Sequence, residues 1–247
     1  MLMPAMLTRW TATPERVDRE ELLDLGHGSI EEVRRSLADL DRINRWLGGR
    51  APLRRFLFPR MAAAARRPLR VLDVGTGSAS GALEIVRWSR TQGIDTQVVA
   101  LDRSGRHLSI AQEAARAYPE IRFAQADVFA LPFANESFDF VCSTLLLHHF
   151  APAALQELLP KLWRLSRGSL ILNDLVRGRV PGWFFEAASP FFARSPLTKH
   201  DGRASIRRAY TPTEMRRVLD EAGLSQARLY THGLYYRMTV VMDRGTP

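Results

Sequence analysis

Six side chains stand where a parallel α/β sheet would put chemistry. Asp73, Asp102 and Asp127 each close a short apolar run, and His148, His149 and Asp174 follow two further runs. A carboxylate at a strand end accepts hydrogen bonds from hydroxyls or holds a cation, and it repels phosphate. An imidazole in the same place can take a proton from a reacting hydroxyl.

The first acid precedes the glycine loop of "VLDVGTGSASG", residues 71–81. Gly75 and Gly77 match the first two positions of the dinucleotide fingerprint G-x-G-x-x-G, but Ser80 occupies the third. Asp73, two residues ahead of Gly75, would oppose a pyrophosphate and welcome a positive charge. Adenosine joined to a cationic amino-acid end, without phosphate, is S-adenosylmethionine, which is the expected cofactor. Gly75, Thr76 and Gly77 would let the backbone approach its methionine part, and Asp73 would orient the ammonium. Taken alone, such a loop also reads as an ordinary strand-to-helix turn. The second acid, Asp102 in "TQVVALDRS", is placed to bind ribose hydroxyls, with Arg103 beside it; Ser104 can cap the next helix in its stead. In "RFAQADVFALPF", Asp127 could accept from the adenine amino group while the Val128 N–H donates to the ring, or Asp127 could cap its own loop.

The positioning elements follow from pattern. From residue 69 onward, short β-branched runs alternate with helical ones, the mark of βαβ units and a mostly parallel sheet. Strands are expected at 70–74, 96–101, 121–125, 137–143 and 169–173, and crossover helices at 79–91, 105–117 and 152–165. Before them, Ser29 and Glu32 form a capping box for a helix that Gly48 and Gly49 stop, with Val33, Leu37, Leu40 and Trp46 or Leu47 on one face. More helix is expected to about Ala65. Thr211, Pro212 and Glu214 open a helix over 212–222, with Gly223 beyond it, and "ARLYTHGLYYRMTVVM" reads as two closing strands. The expected fold is a doubly wound, Rossmann-like α/β domain over 69–247. It has a seven-stranded, mostly parallel sheet, a C-terminal antiparallel hairpin and a lid-like insertion at 176–210, and an N-terminal helical cap occupies 1–68.

The runs "VLDVGTGSASGALE", "ALDRS" and "ADVFALPFANESFDFVCSTLLLHHF" resemble the successive motifs of class I S-adenosylmethionine-dependent methyltransferases, over about residues 69–175. The nearest likeness is to small-molecule enzymes of ubiquinone and menaquinone biosynthesis, and more loosely to bacterial enzymes of polyketide or phenolic-lipid pathways. The resemblance assigns Asp73, Gly75 and Gly77 to the methionine end, Asp102 to the ribose, and Asp127 with Val128 to the adenine. Ala79 stands where many members have another glycine.

Methyl transfer from a sulfonium is an in-line displacement, so holding acceptor and methyl in line supplies much of the rate. A base helps when the acceptor is a hydroxyl. His148 and His149 are the candidates, with Asp174, or its neighbour Asn173, to orient them; capping or packing is the competing role. His200 with Asp201 ranks lower, because an Asp-Gly step commonly turns the chain. Trp183, Phe184, Phe185, Phe191 and Phe192, with Trp46, are candidates for an apolar acceptor wall.

The rest of the composition narrows the classes. The chain of 247 residues has one cysteine, Cys142, in an apolar run, which reads as a buried, inert thiol in a reducing, cytoplasmic setting. No metal ligands share a recognisable spacing, so no metal is expected. The opening "MLMPAMLTRW" lacks a basic start and long apolar stretch, and no segment suits a membrane span. A net charge of +9 admits anionic partners, but arginines and aromatics do not interleave as in RNA binders. Nucleic acid is therefore disfavoured, while peripheral membrane contact and homo-oligomers stay open. The expected activity is methylation of a small apolar acceptor, with a phenolic or polyketide-like hydroxyl ahead of a ring carbon. An RNA or protein methyltransferase, a non-catalytic cofactor-binding module and an oxidoreductase are the alternatives.

Overall fold

The computed structural model describes residues 13–64 and 67–244. The stretch "MLMPAMLTRW" and Ala65 lie outside them. Among the described residues, seven strands form one sheet in the order β3-β2-β1-β4-β5-β7-β6. They are β1 (Leu69–Val74), β2 (Thr96–Asp102), β3 (Ile121–Gln125), β4 (Phe138–Thr144), β5 (Ser166–Leu175), β6 (Arg228–His232) and β7 (Arg237–Asp243). The first five run parallel, and β7 pairs antiparallel with both β5 and β6. The doubly wound sheet with its closing hairpin is therefore as expected.

The strand order reverses between β1 and β4, and a crevice opens there at the carboxyl ends. Register places Asp73 beside Ala100 of β2 and Cys142 of β4, and Asp102 ends β2 beside Gln125. β1 and β4 are buried on both faces because helices cover both sides of the sheet. The crossovers are helices Ser80–Gln92, Gly105–Ala114 and Pro152–Leu165. In the last of these Leu155, Leu158, Leu159, Leu162 and Leu165 form the buried stripe that the 3.6-residue period requires.

The helix that opens the described region, α1 (Ile30–Trp46), begins on its capping box: the Glu32 N–H donates to Ser29 Oγ, and the Ser29 N–H donates to Glu32 Oε2 at 2.7 Å. Val33 and Leu37 pack with Leu23, Ile110 and Leu197. Trp46 does not join them; it is 75% exposed, since it falls one residue short of the position that repeats the Val33 face. The next segment is a π-helical turn, Leu53–Leu57, running into α2 (Phe58–Ala63). Leu57 and Met61 are fully buried in one cluster with Leu69, Val71 and Ile85, so this part of the expected cap shares the core of the sheet.

The insertion forms two helices, Arg179–Phe192 and Pro196–Arg208, here α6 and α7, the crossover helices being α3, α4 and α5 in chain order. The Asp-Gly step at 201–202 lies inside α7 and makes no turn. Gly202 is needed there for space, as a Cβ would come within 2.2 Å of the Phe185 ring. The helix α8 (Pro212–Glu221) carries its expected Thr211–Glu214 capping box. Among the described residues, no helix is long and apolar enough to cross a membrane.

Leu57→Ala should lower stability by about 2–5 kcal/mol, the range for a large-to-small change in a closed core. Urea unfolding monitored by circular dichroism measures this, and a loss below about 1 kcal/mol would show that residues 53–63 are not part of the main core.

Candidate active site

A cleft of about 560 Å³ lies over the carboxyl ends of β1, β2 and β4. Its floor is the glycine loop. Gly75 (φ +69°) and Gly77 (φ +54°) both sit in the left-handed region, and a Cβ at Gly75 would approach Leu146 Cδ1 to 2.9 Å. Ala79 also has positive φ, +58°, at the N-terminus of α3. It carries the strain that a glycine there would avoid.

Asp73 is buried below the loop. Its Oδ2 accepts the Thr76 hydroxyl at 2.7 Å, and the Cys142 thiol donates weakly to Oδ1. Burial pushes its carboxyl up to about 6, opposed by the Thr76 and Ala82 hydrogen bonds and assisted by the charge of Asp102. Burial and the same carboxylate hold the Cys142 thiol well above its ordinary range, which makes it inert.

Asp102 accepts the Gly77 N–H at 2.8 Å and the Ser104 N–H at 2.9 Å. Burial would raise it, but the hydrogen bonds from His107, Ser104 and Gly77 and the charge of His107 hold it below the ordinary carboxylate range. Ser104 itself caps α4 through the His107 N–H. Asp127 is exposed at the cleft and accepts the Phe129 N–H at 2.8 Å, so it does tie its own loop, leaving its second oxygen unengaged by that bond. The buried Val128 lines the same wall. Arg103 lines it too, with its guanidinium drawn to Asp24 at 3.3 Å.

The two histidine rings lie side by side, with centroids 4.3 Å apart, but differ in exposure. They lie on a short 3-10 turn, Leu147–His149, where successive side chains point about a third of a turn apart. His148 points inward and is 2% exposed. Its Nδ1 lies 2.7 Å from Asp174 Oδ1, its Nε2 lies 3.2 Å from Glu21 Oε1, and its backbone N–H donates to Asp174 Oδ2. Burial alone would lower its pKa, but Asp174 and Glu21 raise it to about 10. Both ring nitrogens of His148, expected as a base, are thus engaged by carboxylates, and neither is free for a substrate proton. Asp174, expected to orient a histidine, holds this buried ring through its Nδ1 and its backbone N–H.

His149 lines the cleft. Its Nδ1 lies 2.7 Å from Asp24 Oδ2. Burial would raise Asp24, but the hydrogen bond and charge of His149, with Arg103 and Arg208, bring it to about 2. An ionised carboxylate only accepts, so Nδ1 must donate, and Nε2 is the ring nitrogen left free of that bond.

Glu21 and Asp24 carried no sequence signal, because they lie in an irregular segment without period or motif. Asp201 holds that segment by accepting the Leu22 and Leu23 N–H groups. His200 lies 3.0 Å from the same carboxylate, outside the cleft wall. Asn173 is buried within β5, opposite Thr239 of β7.

The expected aromatic wall is also corrected. Trp183 and Phe191 are 72% and 87% exposed, and Phe185 packs over Gly202 and against Phe192. The apolar part of the cleft comes instead from Leu23, Leu37, Leu40, Leu53, Leu146 and Phe150. α6 turns Trp183 and Phe191 to solvent and Phe185 onto α7, a division that periodicity alone could not reveal.

Residues 71–168 match the family model of a methyltransferase domain. The matched residues form a methyltransferase domain of the class I, S-adenosylmethionine-dependent type. The chain is 28% identical over 182 residues to demethylmenaquinone methyltransferase of Roseiflexus castenholzii, covering 67% of this chain and 71% of that protein. To the protein of the same name from Thermus thermophilus it is 36% identical over 112 residues, 45% of this chain and 49% of that one. It thus spans about half the length of the second relative. Among solved structures, magnesium protoporphyrin IX methyltransferase from Synechocystis PCC 6803, with bound SAH, has the same fold: TM-score 0.56, 19% identity, 83% of this chain and 86% of that one covered.

The methyltransferase cleft fits its cofactor, S-adenosylmethionine, on its own chemistry. A buried carboxylate partnered only by a hydroxyl, a backbone N–H and a thiol lies under left-handed glycines, and a second carboxylate lies one strand away. When bound, the cofactor supplies an electrophilic methyl group on a sulfonium.

Asp73 sets a pH signature for the unliganded chain. Its folded pKa exceeds the unfolded value of 3.8, so the folded state binds the extra proton and stability falls as pH rises from about 4 through about 6. Asp73→Asn keeps the shape without the charge. It should make the unliganded chain more stable than the parent at pH 7, by up to about 3 kcal/mol, and converge with it near pH 4. Denaturation at the two pH values checks this, and a variant less stable than the parent at pH 7 would contradict it.

Proposed function

We propose that this methyltransferase acts on a small, fairly apolar acceptor, methylating a phenolic or enolic hydroxyl with His149 as the base. The observation that carries this reading is the His149–Asp24 pair on the cleft wall, at 2.7 Å, with a leucine-rich surface beside it. Asp24 fixes the tautomer, so Nε2 can remove the acceptor proton as the oxygen attacks the methyl group. A positioned base of this kind is worth on the order of 10²- to 10⁴-fold. His148 and Asp174 act at one remove, locking the turn that carries His149.

On the donor side, Asp73 pairs with the cofactor ammonium, and the backbone of Gly75, Thr76 and Gly77 approaches its methionine part. Asp102, with Arg103 at its flank, accepts from the ribose hydroxyls. Asp127 and the Val128 N–H take the adenine edge. Neutralising a sulfonium is favoured away from bulk water, and the apolar wall serves that end.

The relatives named demethylmenaquinone methyltransferase favour a second reading, in which the same base produces a phenolate that is methylated at a ring carbon. Deprotonation is common to both. Turnover with a panel of phenols, followed by NMR of the product, tells an O-methyl from a C-methyl group.

Three outcomes are expected. His149→Asn should lower kcat by about 10²-fold or more with little change in cofactor affinity, whereas unchanged kcat would remove the base. Asp73→Asn should weaken S-adenosylmethionine binding by about 10-fold or more, the scale of a charge-assisted hydrogen bond. Parent affinity should fall as pH drops below about 6, where Asp73 takes up its proton; calorimetric titration at pH 5 and pH 7.5 measures both.

A further inference from the structure

Beside the donor half of the cleft, the fold gathers three groups that the sequence keeps far apart. One ligand atom each from Glu21, His148 and His149 lies within 4.8 Å of the other two. We propose that these three residues bind one divalent transition-metal ion of the zinc class. Sequence spacing offered no such set, because Glu21 precedes His148 by 127 residues.

The surroundings are those of a metal site rather than a chance cluster. A metal-binding imidazole commonly donates its far N–H to a carboxylate, which fixes the ring and strengthens the donor nitrogen. Both rings here are held in that way: His148 Nδ1 is 2.7 Å from Asp174, and His149 Nδ1 is 2.7 Å from a different carboxylate, Asp24. The third ligand is tied as well, since Glu21 Oε1 accepts the Ser205 hydroxyl at 2.5 Å. Two guanidinium groups flank the site on the Asp24 side. Arg103 and Arg208 pair with Asp24, and Arg208 also donates to the His149 carbonyl at 2.6 Å.

Two imidazole nitrogens and one carboxylate oxygen suit zinc and its first-row neighbours, and they leave at least one coordination position open. Glu21 and His149 line the cleft, so an ion has a way in. The exchange is balanced. The ion takes the place of the proton between His148 Nε2 and Glu21 Oε1, that proton leaves to solvent, and no electrons move. Occupancy also takes the His149 lone pair, so an ion at this site and a free base cannot coexist. That effect on turnover rests on the base assignment above, whereas the binding itself does not.

The test is calorimetric titration of zinc chloride into the chelator-treated full chain, with cobalt(II) absorption as an independent readout of coordination. One equivalent of zinc should bind, with a visible cobalt spectrum. Glu21→Gln and His149→Asn should each weaken binding by at least 10-fold, and Asp24→Asn by about 10- to 100-fold through the His149 ring. A thermal melt of each variant confirms that it is folded. Absence of saturable binding by the parent, or parent-like binding in the folded Glu21 and His149 variants, would overturn the site. If zinc binds as described but leaves turnover unchanged, the site stands and the base assignment falls.

Discussion

Two buried carboxylates beneath one loop set the character of this molecule. Asp102 clamps the glycine turn from one side through the Gly77 N–H, and Asp73 clamps it from the other through the Thr76 hydroxyl. Neither clamp is a salt bridge to lysine or arginine. Asp73 in particular is held in low dielectric by groups that only partly compensate its charge, so its carboxyl is pushed up. A site built this way is stabilised by a cation and penalised by an anion. The parallel sheet makes the arrangement possible, because β1 and β2 end side by side and deliver both acids to the same edge.

The second half of the cleft is assembled from distant pieces. The segment before α1 crosses the mouth of the sheet and is fastened at several points: Arg16 to the carbonyls of His148, Phe150 and Arg208, Arg177 to the Pro14 carbonyl, and Asp201 to the backbone of Leu22 and Leu23. These bonds place Glu21 and Asp24 against the histidine turn. The expected lid thus contributes mainly as a scaffold. α7 supplies Asp201, Ser205 and Arg208 to hold the strap, while α6 packs Phe185 on α7 and leaves Trp183 and Phe191 exposed.

How much of this was legible in the sequence follows from the range of the interactions. Strand ends, capping boxes and the glycine loop are local, so β1 to β5, the caps of α1 and α8 and the acids at the strand ends could be read directly. His148 and His149 could be found but not told apart, because only the 3-10 turn decides which ring points into the core. Glu21 and Asp24 were silent, since their role comes from contacts more than a hundred residues away. The aromatic run misled for a related reason: an amphipathic stripe states that one face is apolar and not which way it points. Gly202 shows the same limit, with a turn-forming dipeptide absorbed into a helix because an aromatic ring needed the space.

The central claim is that the pocket under the glycine loop selects a sulfonium amino acid joined to adenosine and rejects a dinucleotide. Parallel calorimetric titrations of the purified chain with S-adenosylmethionine and with nicotinamide adenine dinucleotide test it most directly. Saturable one-to-one binding of the first, with no heat of binding from the second, is the expected result. Binding of the dinucleotide in place of S-adenosylmethionine would contradict it.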